Sequence, residues 1–551
     1  MKIPPRLACS RLMAAAALAT FGSLLPAQQP LAISTGASIY RSSPGDDQKP
    51  DVAYDASTDT YLVAWEIKTD LYHLIPGTTE WEYQGLMYSI RLQRLDSFGN
   101  PLGTFTDIKD SSLDRFRPRV ANLHKTSQFL VVWEQASNNG DIFGCTVDAA
   151  TGARSANVPI ANTSAQEDQI AIAGEATVLD DDAVVVWRSS VGQIRACEVS
   201  AAAPGVPPGV GASVRVASGS NIRQPTIAAA GDLAGRLLVA WAEDDGSRGE
   251  IWGRVLDRSA SFLGGAFPIY EGQDASRPAV DGDGTLWVVA FQYREPSLPG
   301  INNHDIGAQV VRWDPIANEE YLFGGTSTVE ATPRENETRP AVAWLGESLL
   351  VSWEEGVGSS THISAKTIDP HSCNRCEPEF IVNNGSTAAW PAIAGEMTAE
   401  LGSIRSGALQ VFVQDDLIYG RLFHAKDGRV VNVGGGCGQG GLPDATCART
   451  PNASFRLRVL HSQPRQPAFL VLSGGRIDIP LASTCVLVPD PTLGAVVPSG
   501  TNARGNASLP VAIPDNPALI GGHIFTQWAI AGGSRFLGLD LSSALRIRIG
   551  G

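Results

Sequence analysis

Apolar and polar positions alternate in short runs along most of the chain, and the runs recur as one phrase. The phrase is clearest between Arg117 and Asp148. It opens at Arg117-Pro118-Arg119-Val120-Ala121 and continues through an apolar strand, Phe129-Leu130-Val131-Val132-Trp133-Glu134. It closes on Asp141-Ile142-Phe143-Gly144-Cys145-Thr146-Val147-Asp148. Marked by its proline, or by the residue in that place, it recurs at Pro50, Pro118, Ile170, Pro225, Pro278, Pro340 and Pro391. Each second strand ends in an aromatic: Trp65, Trp133, Trp187, Trp241, Phe291, Trp353 and Phe412. A weaker fourth strand follows, as in Phe267-Pro268-Ile269-Tyr270. Four short strands per unit, repeated at this spacing, is the pattern of a propeller blade. Seven units predict an all-β chain whose first part, residues 31–433, is a seven-bladed β-propeller. The run from Leu31 to Tyr40 predicts a strand that pairs into the last blade and removes the exposed edge. A stacked β-solenoid is the alternative, although its coils are usually shorter.

The repeat stops near Gly434. Residues 434–441, rich in glycine, predict a hinge-like linker. Alternating runs then return between Phe455 and Ile549, and about eight strands there predict a C-terminal β-sandwich over residues 437–551.

Composition narrows the partners. The formal net charge is −15 and the sequence pI about 5.0. That argues against nucleic acid, whose binding depends on Lys and Arg neutralising phosphates. Lys2, Arg6 and Arg11 precede an apolar run from Leu12 to Leu25, with Leu25-Pro26-Ala27 as a cleavage site. Residues 1–27 therefore predict a secretory signal peptide, and the mature chain is expected to be extracellular or on the cell surface. No later stretch is long and apolar enough to predict a transmembrane segment. Of eight cysteines, Cys9 precedes that apolar run and seven follow it. Cys373 and Cys376 form a lone Cys-x-x-Cys without the second ligand pair a zinc site needs. Cys145 and Cys197 hold equivalent repeat positions, which makes a bond between them doubtful. The pairing among Cys437, Cys447 and Cys485 stays open, as does the oligomeric state.

Two resemblances attach to these motifs. The repeats resemble a family of secreted bacterial propeller-type repeats, marked by a Val-Val-Trp-Glu strand and a following Asp-Ile-x-Gly strand. The tail resembles a C-terminal module carried by many large secreted bacterial proteins, through Cys485-Val486-Leu487-Val488-Pro489-Asp490, Ile513-Pro514-Asp515-Asn516-Pro517 and Phe525-Thr526-Gln527-Trp528. Neither resemblance implies a catalytic set.

Candidate chemistry lies on one face of the ring. The repeated tryptophans read as packing between blades rather than as a ligand shelf. The start of each first strand lies beside the end of the second. That predicts ion pairs Lys49–Glu66, Arg117–Glu134 and Arg339–Glu354, and leaves Arg277 opposite Gln292 without an acid. Two long loops share the face. The first, Ile67 to Tyr88, carries Tyr72, His73, Trp81 and Tyr83; the second, Gln292 to Asp305, carries Tyr293, Arg294, His304 and Asp305. These residues, with Arg277, are the expected ligand-binding set for a carbohydrate or protein partner. No catalytic motif and no cofactor are expected. The acidic runs Asp180-Asp181-Asp182 and Glu243-Asp244-Asp245 could at most hold calcium weakly. The leading expectation is a secreted, non-catalytic binding or surface-interaction protein. The alternatives are a carbohydrate-active hydrolase or lyase, drawing on Glu66, Glu134, Glu295, Asp305 or Glu354, and a structural envelope or matrix component.

Overall fold

The structure is a computed structural model. It describes residues 31–32 and, with gaps, 47–549; the longer gaps are 75–80, 175–180, 295–302, 369–379, 396–406 and 446–454. The expected signal segment 1–27, Asp180, Asp245, Glu295, Cys373, Cys376 and Cys447 lie outside the described residues.

Among the described residues up to His424, seven antiparallel sheets follow one another. Blade 1 is Asp47–Asp55, Thr60–Leu74, Trp81–Asp96 and Pro101–Ile108; blade 2 is Arg115–Leu123, Gln128–Gln135, Asp141–Asp148 and Val158–Ala161. Blade 3 is Glu167–Gly174, Asp182–Ser189 and Gln193–Ser200, with its outer position split between Gly209–Val210 and Val214–Ser218. Blade 4 is Arg223–Ala229, Arg236–Asp244, Gly249–Asp257 and Phe267–Tyr270; blade 5 is Ser276–Gly282, Leu286–Tyr293, Asp305–Asp314 and Glu319–Glu330. Blade 6 is Asn336–Trp344, Leu349–Val357, Ser360–Ile368 and Phe380–Ile381. Blade 7 is Ala388–Gly395, Gly407–Gln414 and Leu417–His424, and its fourth strand is Leu31–Ala32 from the start of the chain, with Leu31 opposite Gly420. The fold is a β-propeller.

The second strands are mainly apolar because both faces are covered; every residue of Gln128–Gln135 and of Leu286–Tyr293 is buried. Seven apolar clusters are each drawn mainly from two neighbouring blades. One joins Val52, Tyr61 and Trp65 of blade 1 to Leu409, Val411 and Ile418 of blade 7, which closes the circuit. The repeated aromatics are its core: Trp65, Trp133, Phe291, Trp353 and Phe412 are fully buried, and Trp187 and Trp241 nearly so. Burying a side chain of that size contributes about 4–6 kcal/mol of transfer energy. Close backbone approach completes the fit between inner strands. A Cβ on Gly174 would lie 1.9 Å from the Asn122 carbonyl oxygen, and one on Gly395 would lie 2.0 Å from that of Trp344.

The C-terminal part is a β-sandwich. One sheet runs in the order Val430–Gly434, Ala544–Arg548, His523–Phe536, Pro467–Ser473, Gly494–Gly500; the facing sheet holds Leu442–Ala445, Arg456–Leu460 and Ala507–Pro510. Leu457 and Val459 of the second sheet share one core with Leu470, Trp528, Ile530 and Leu545 of the first. The boundary differs from the expectation. Val430–Gly434 pairs with Ala544–Arg548, so the sandwich begins before residue 434. The glycine-rich segment is held in place rather than serving as a hinge. Cys437 is bonded to Cys485, with Cα atoms 5.1 Å apart, and its N–H donates to the Leu541 carbonyl at 2.8 Å. Gly438 adopts φ 67°, and a Cβ there would meet Asp540 Oδ1 at 2.1 Å. These glycines allow close approach, not mobility. Cys145 and Cys197 are buried free thiols, as their equivalent repeat positions suggested. Burial pushes their pKa values up to about 11 and about 12, which keeps both as unreactive thiols at neutral pH.

Candidate functional site: the channel mouth

Every first strand carries one bulge at the repeat marker. In blade 2 the register slips between Phe116 and Arg119, and the same slip recurs in the other six. Proline has no N–H to give the ladder, so a bulge accommodates it. The residue before the marker then takes a left-handed conformation: Lys49, Arg117, Gln169, Gln224, Arg277, Arg339 and Trp390 all have φ between 48° and 57°. All seven line a central cavity of about 490 Å³.

At six of the seven the residue's N–H donates to a side chain of the preceding blade. Arg117 N donates to Glu66 Oε2 at 3.0 Å, Gln169 N to Glu134 Oε1 at 2.8 Å, and Trp390 N to Glu354 Oε1 at 2.7 Å. The second oxygen of Glu134 takes the guanidinium of Arg117 at 2.8 Å. Glu66 holds Lys49 at 3.1 Å, and Glu354 holds Arg339. Each glutamate thus binds a cation of its own blade and a backbone N–H of the next. Blades 3 and 4 end their second strands in Arg188 and Ala242 beside the bulge. There the bulge residue itself is glutamine: Gln224 N donates to Gln169 Oε1 at 2.6 Å, and Arg277 N to Gln224 Oε1 at 2.8 Å. In blade 5 Gln292 Oε1 accepts from Arg339 N at 3.3 Å. Arg188 pairs with Asp168 of its own blade.

Three predicted ion pairs are therefore present, and they occupy Glu66, Glu134 and Glu354, three of the five acids that a glycosidase reading would use. Among the described lining residues the only carboxylate is Asp51, which accepts from Val120 N at 2.8 Å; burial raises its pKa. Glycoside hydrolysis needs two carboxylates across a cleft, and among the described lining residues Asp51 has no second acid beside it.

Arg277 differs from the other cations of the ring. Its guanidinium has no ion pair among the described residues, and it lines the cavity half-buried. Burial lowers its pKa, and the Arg339 guanidinium lowers it further. Two more groups of the set gather beside it at the end of blade 5. Arg294 Nη2 lies 2.9 Å from Asp274 Oδ2, and His304 Nε2 lies 4.0 Å from the same oxygen. His304 N donates to Asn336 Oδ1 at 3.1 Å, which ties blade 5 to blade 6. Burial lowers the His304 pKa; Asp274 works against this, and Arg294 and Arg277 add to it. At neutral pH His304 is neutral beside two guanidinium groups. Trp390 lines the cavity next to Arg339, whose Cζ sits 4.1 Å over the indole.

The remaining expected residues separate. Tyr293 is 5% exposed and packs with Tyr270 and Phe291 in the core, so it does not present an aromatic to a ligand. Asp305 is 3% exposed, directly across the strand pair from Tyr293, and is likewise removed from the surface. The expected loop from Ile67 to Tyr88 is instead a long hairpin of Thr60–Leu74 and Trp81–Asp96. Its register sets Tyr72 opposite Tyr83, His73 opposite Glu82 and Leu74 opposite Trp81. Asp181 and Asp244 of the acidic runs face Lys125 and Arg223, at 3.5 and 3.4 Å. The residues missed from sequence are Gln169, Gln224, Gln292 and Trp390. The first two carry a readable signal: glutamine holds the bulge in two of the three blades, 3 and 4 but not 7, whose second strand lacks an acid or amide beside it.

No family model matches the chain, and no curated protein matches it. Solved structures with similar backbones include the β-propeller domain of the Trilobed protease from Pyrococcus furiosus (8% identity, TM-score 0.39, 69% of this chain and 98% of that one). The fucose-binding Aleuria aurantia lectin, a six-bladed propeller, aligns at 13% identity and TM-score 0.34 over 55% of this chain and 90% of that one. Trypanosoma rangeli sialidase aligns at 8% identity and TM-score 0.36 over 95% and 94%.

Proposed function

We propose that the chain is an exported, non-catalytic binding protein that holds an acidic saccharide at the channel mouth. Arg277 carries this reading. It is a half-buried cation on a cavity wall, in a ring where every other cation at its position has an acid. A guanidinium takes a carboxylate through two parallel hydrogen bonds. Arg294, held by Asp274, and His304, neutral at neutral pH, stand at the end of the same blade, and Trp390 offers an aromatic surface on the same cavity for a sugar ring. Export is supported by the basic and apolar start of the chain and by the Cys437–Cys485 bond, since such bonds persist in oxidising compartments. Kinship with the secreted bacterial propeller-type repeat proteins is part of the same proposal.

The test is native electrophoresis of the chain through gels containing polygalacturonate, alginate or a neutral polysaccharide. Retarded migration in the acidic gels, lost in Arg277→Gln, is the expected result. Equal migration in every gel overturns the reading. A cleared zone on staining for polymer replaces it with a lyase or hydrolase.

A further inference from the structure

Blade 6 carries a row of ligating side chains that the channel mouth does not use. Its strands pair so that Glu337 lies opposite Glu355, and Glu355 opposite His362. Directly opposed residues of antiparallel strands project from one face of the sheet. Glu337 and Glu355 are 0% and 5% exposed.

Glu335, just ahead of the first strand, completes a donor set. One carboxylate oxygen each from Glu335 and Glu355 and one His362 ring nitrogen lie within 4.8 Å of one another. His362 Nε2 is 3.7 Å from Glu355 Oε2, too far for a hydrogen bond. The Trp353 indole N–H donates to that same Oε2 at 3.2 Å and fixes the carboxylate. Ligating carboxylates are usually oriented by an outer hydrogen bond of this kind. The contact is particular to blade 6. At the equivalent position the indole N–H groups of Trp65, Trp133, Trp187 and Trp241 are buried without an acceptor among the described residues. The residue two places beyond those tryptophans is Ile67, Gln135, Ser189 and Glu243, and none faces a histidine. Blade architecture therefore does not account for the row.

We infer that Glu335, Glu355 and His362 bind a divalent transition-metal ion, with Glu337 as a buried carboxylate beside it. Mixed carboxylate and imidazole donors suit zinc or its first-row neighbours. Bonds of about 2.0–2.2 Å place tetrahedral ligand atoms about 3.4 Å apart. Glu335 and His362 are only half-buried and can swing in by that difference.

Calorimetric titration of the chelator-stripped full chain with Zn²⁺ tests the site. The expected result is one ion per chain and a melting temperature that rises with Zn²⁺. His362→Ala and Glu335→Gln, each checked for folding by near-ultraviolet circular dichroism, should weaken binding by more than about tenfold, and Trp353→Phe by about tenfold. An unaltered chain that takes up no Zn²⁺ overturns the inference. So do His362→Ala and Glu335→Gln variants that bind it as tightly as the unaltered chain.

Discussion

For a residue with a Cβ, a left-handed backbone costs roughly 1–2 kcal/mol. Arg117 and Arg339 offset that cost with an ion pair as well as an N–H bond to the preceding blade, and Lys49 with an ion pair. Arg277 has only the N–H bond, through Gln224, and its charge is left to the cavity. His304 adds a pH dependence. Its pKa is held below the ordinary value, so it is neutral at pH 7 and gains a proton on acidification beside Arg277 and Arg294. Affinity for an acidic saccharide should therefore rise as pH falls through the histidine range, and His304→Gln should flatten the rise. Retardation measured in gels buffered across that range reads it directly. The lone status of Arg277 was legible from the sequence, because the acid is absent at Gln292. The burial of Tyr293 and Asp305 was not. A segment written as a loop between Gln292 and Asp305 begins and ends on strand residues that the neighbouring blade covers.

At the scale of the strand, the bulge and its glutamate act as a clasp between blades. The two oxygens of Glu134 serve different partners, Arg117 in its own blade and Gln169 N in the next. Substitutions separate the two roles. Glu134→Gln keeps an acceptor for Gln169 N and loses only a pair whose cation is 44% exposed, so it should cost less than about 1 kcal/mol. Glu134→Ala also strands the N–H, and should cost about 2 kcal/mol more. Urea denaturation of both variants measures the gap, and equal losses would remove the clasp from the account. The matching of cations with acids across blades was readable in the repeat. The inter-blade half of the clasp was not, because no pattern within one unit reveals which backbone donor the next unit aims at it. The blade 1 hairpin was misread for a related reason. Lys68, Thr69 and Asp70 interrupt the apolar run, yet the backbone stays paired out to Leu74 and Trp81.

At the scale of the whole molecule, seven interfaces form one circuit, and the circuit is completed by Leu31–Ala32 against Leu417–His424. Removing residues through Ala32 exposes the outer edge of blade 7. Such a chain should lose stability and show a broader, less cooperative urea transition than the intact one, as followed by tryptophan fluorescence. An unchanged midpoint and slope would mean the two-residue strand contributes nothing to closure. Ring and sandwich were both legible from strand spacing. Their junction was not, since Val430-Val431-Asn432-Val433 reads equally well as a last strand of the ring or a first strand of the sandwich, and only its pairing with Ala544–Arg548 decides.

The same closure sets an order in time. The strand that emerges first during synthesis has no partner until blade 7 has been made, so the longest-range contact of the ring forms late. Through that interval the chain carries an unpaired strand at its start and, once blade 7 folds, an open edge near Gly420. At high chain concentration those two ends can find each other on different copies as well as on one. Dilution during refolding would then favour closed monomers, and concentration would favour exchanged dimers.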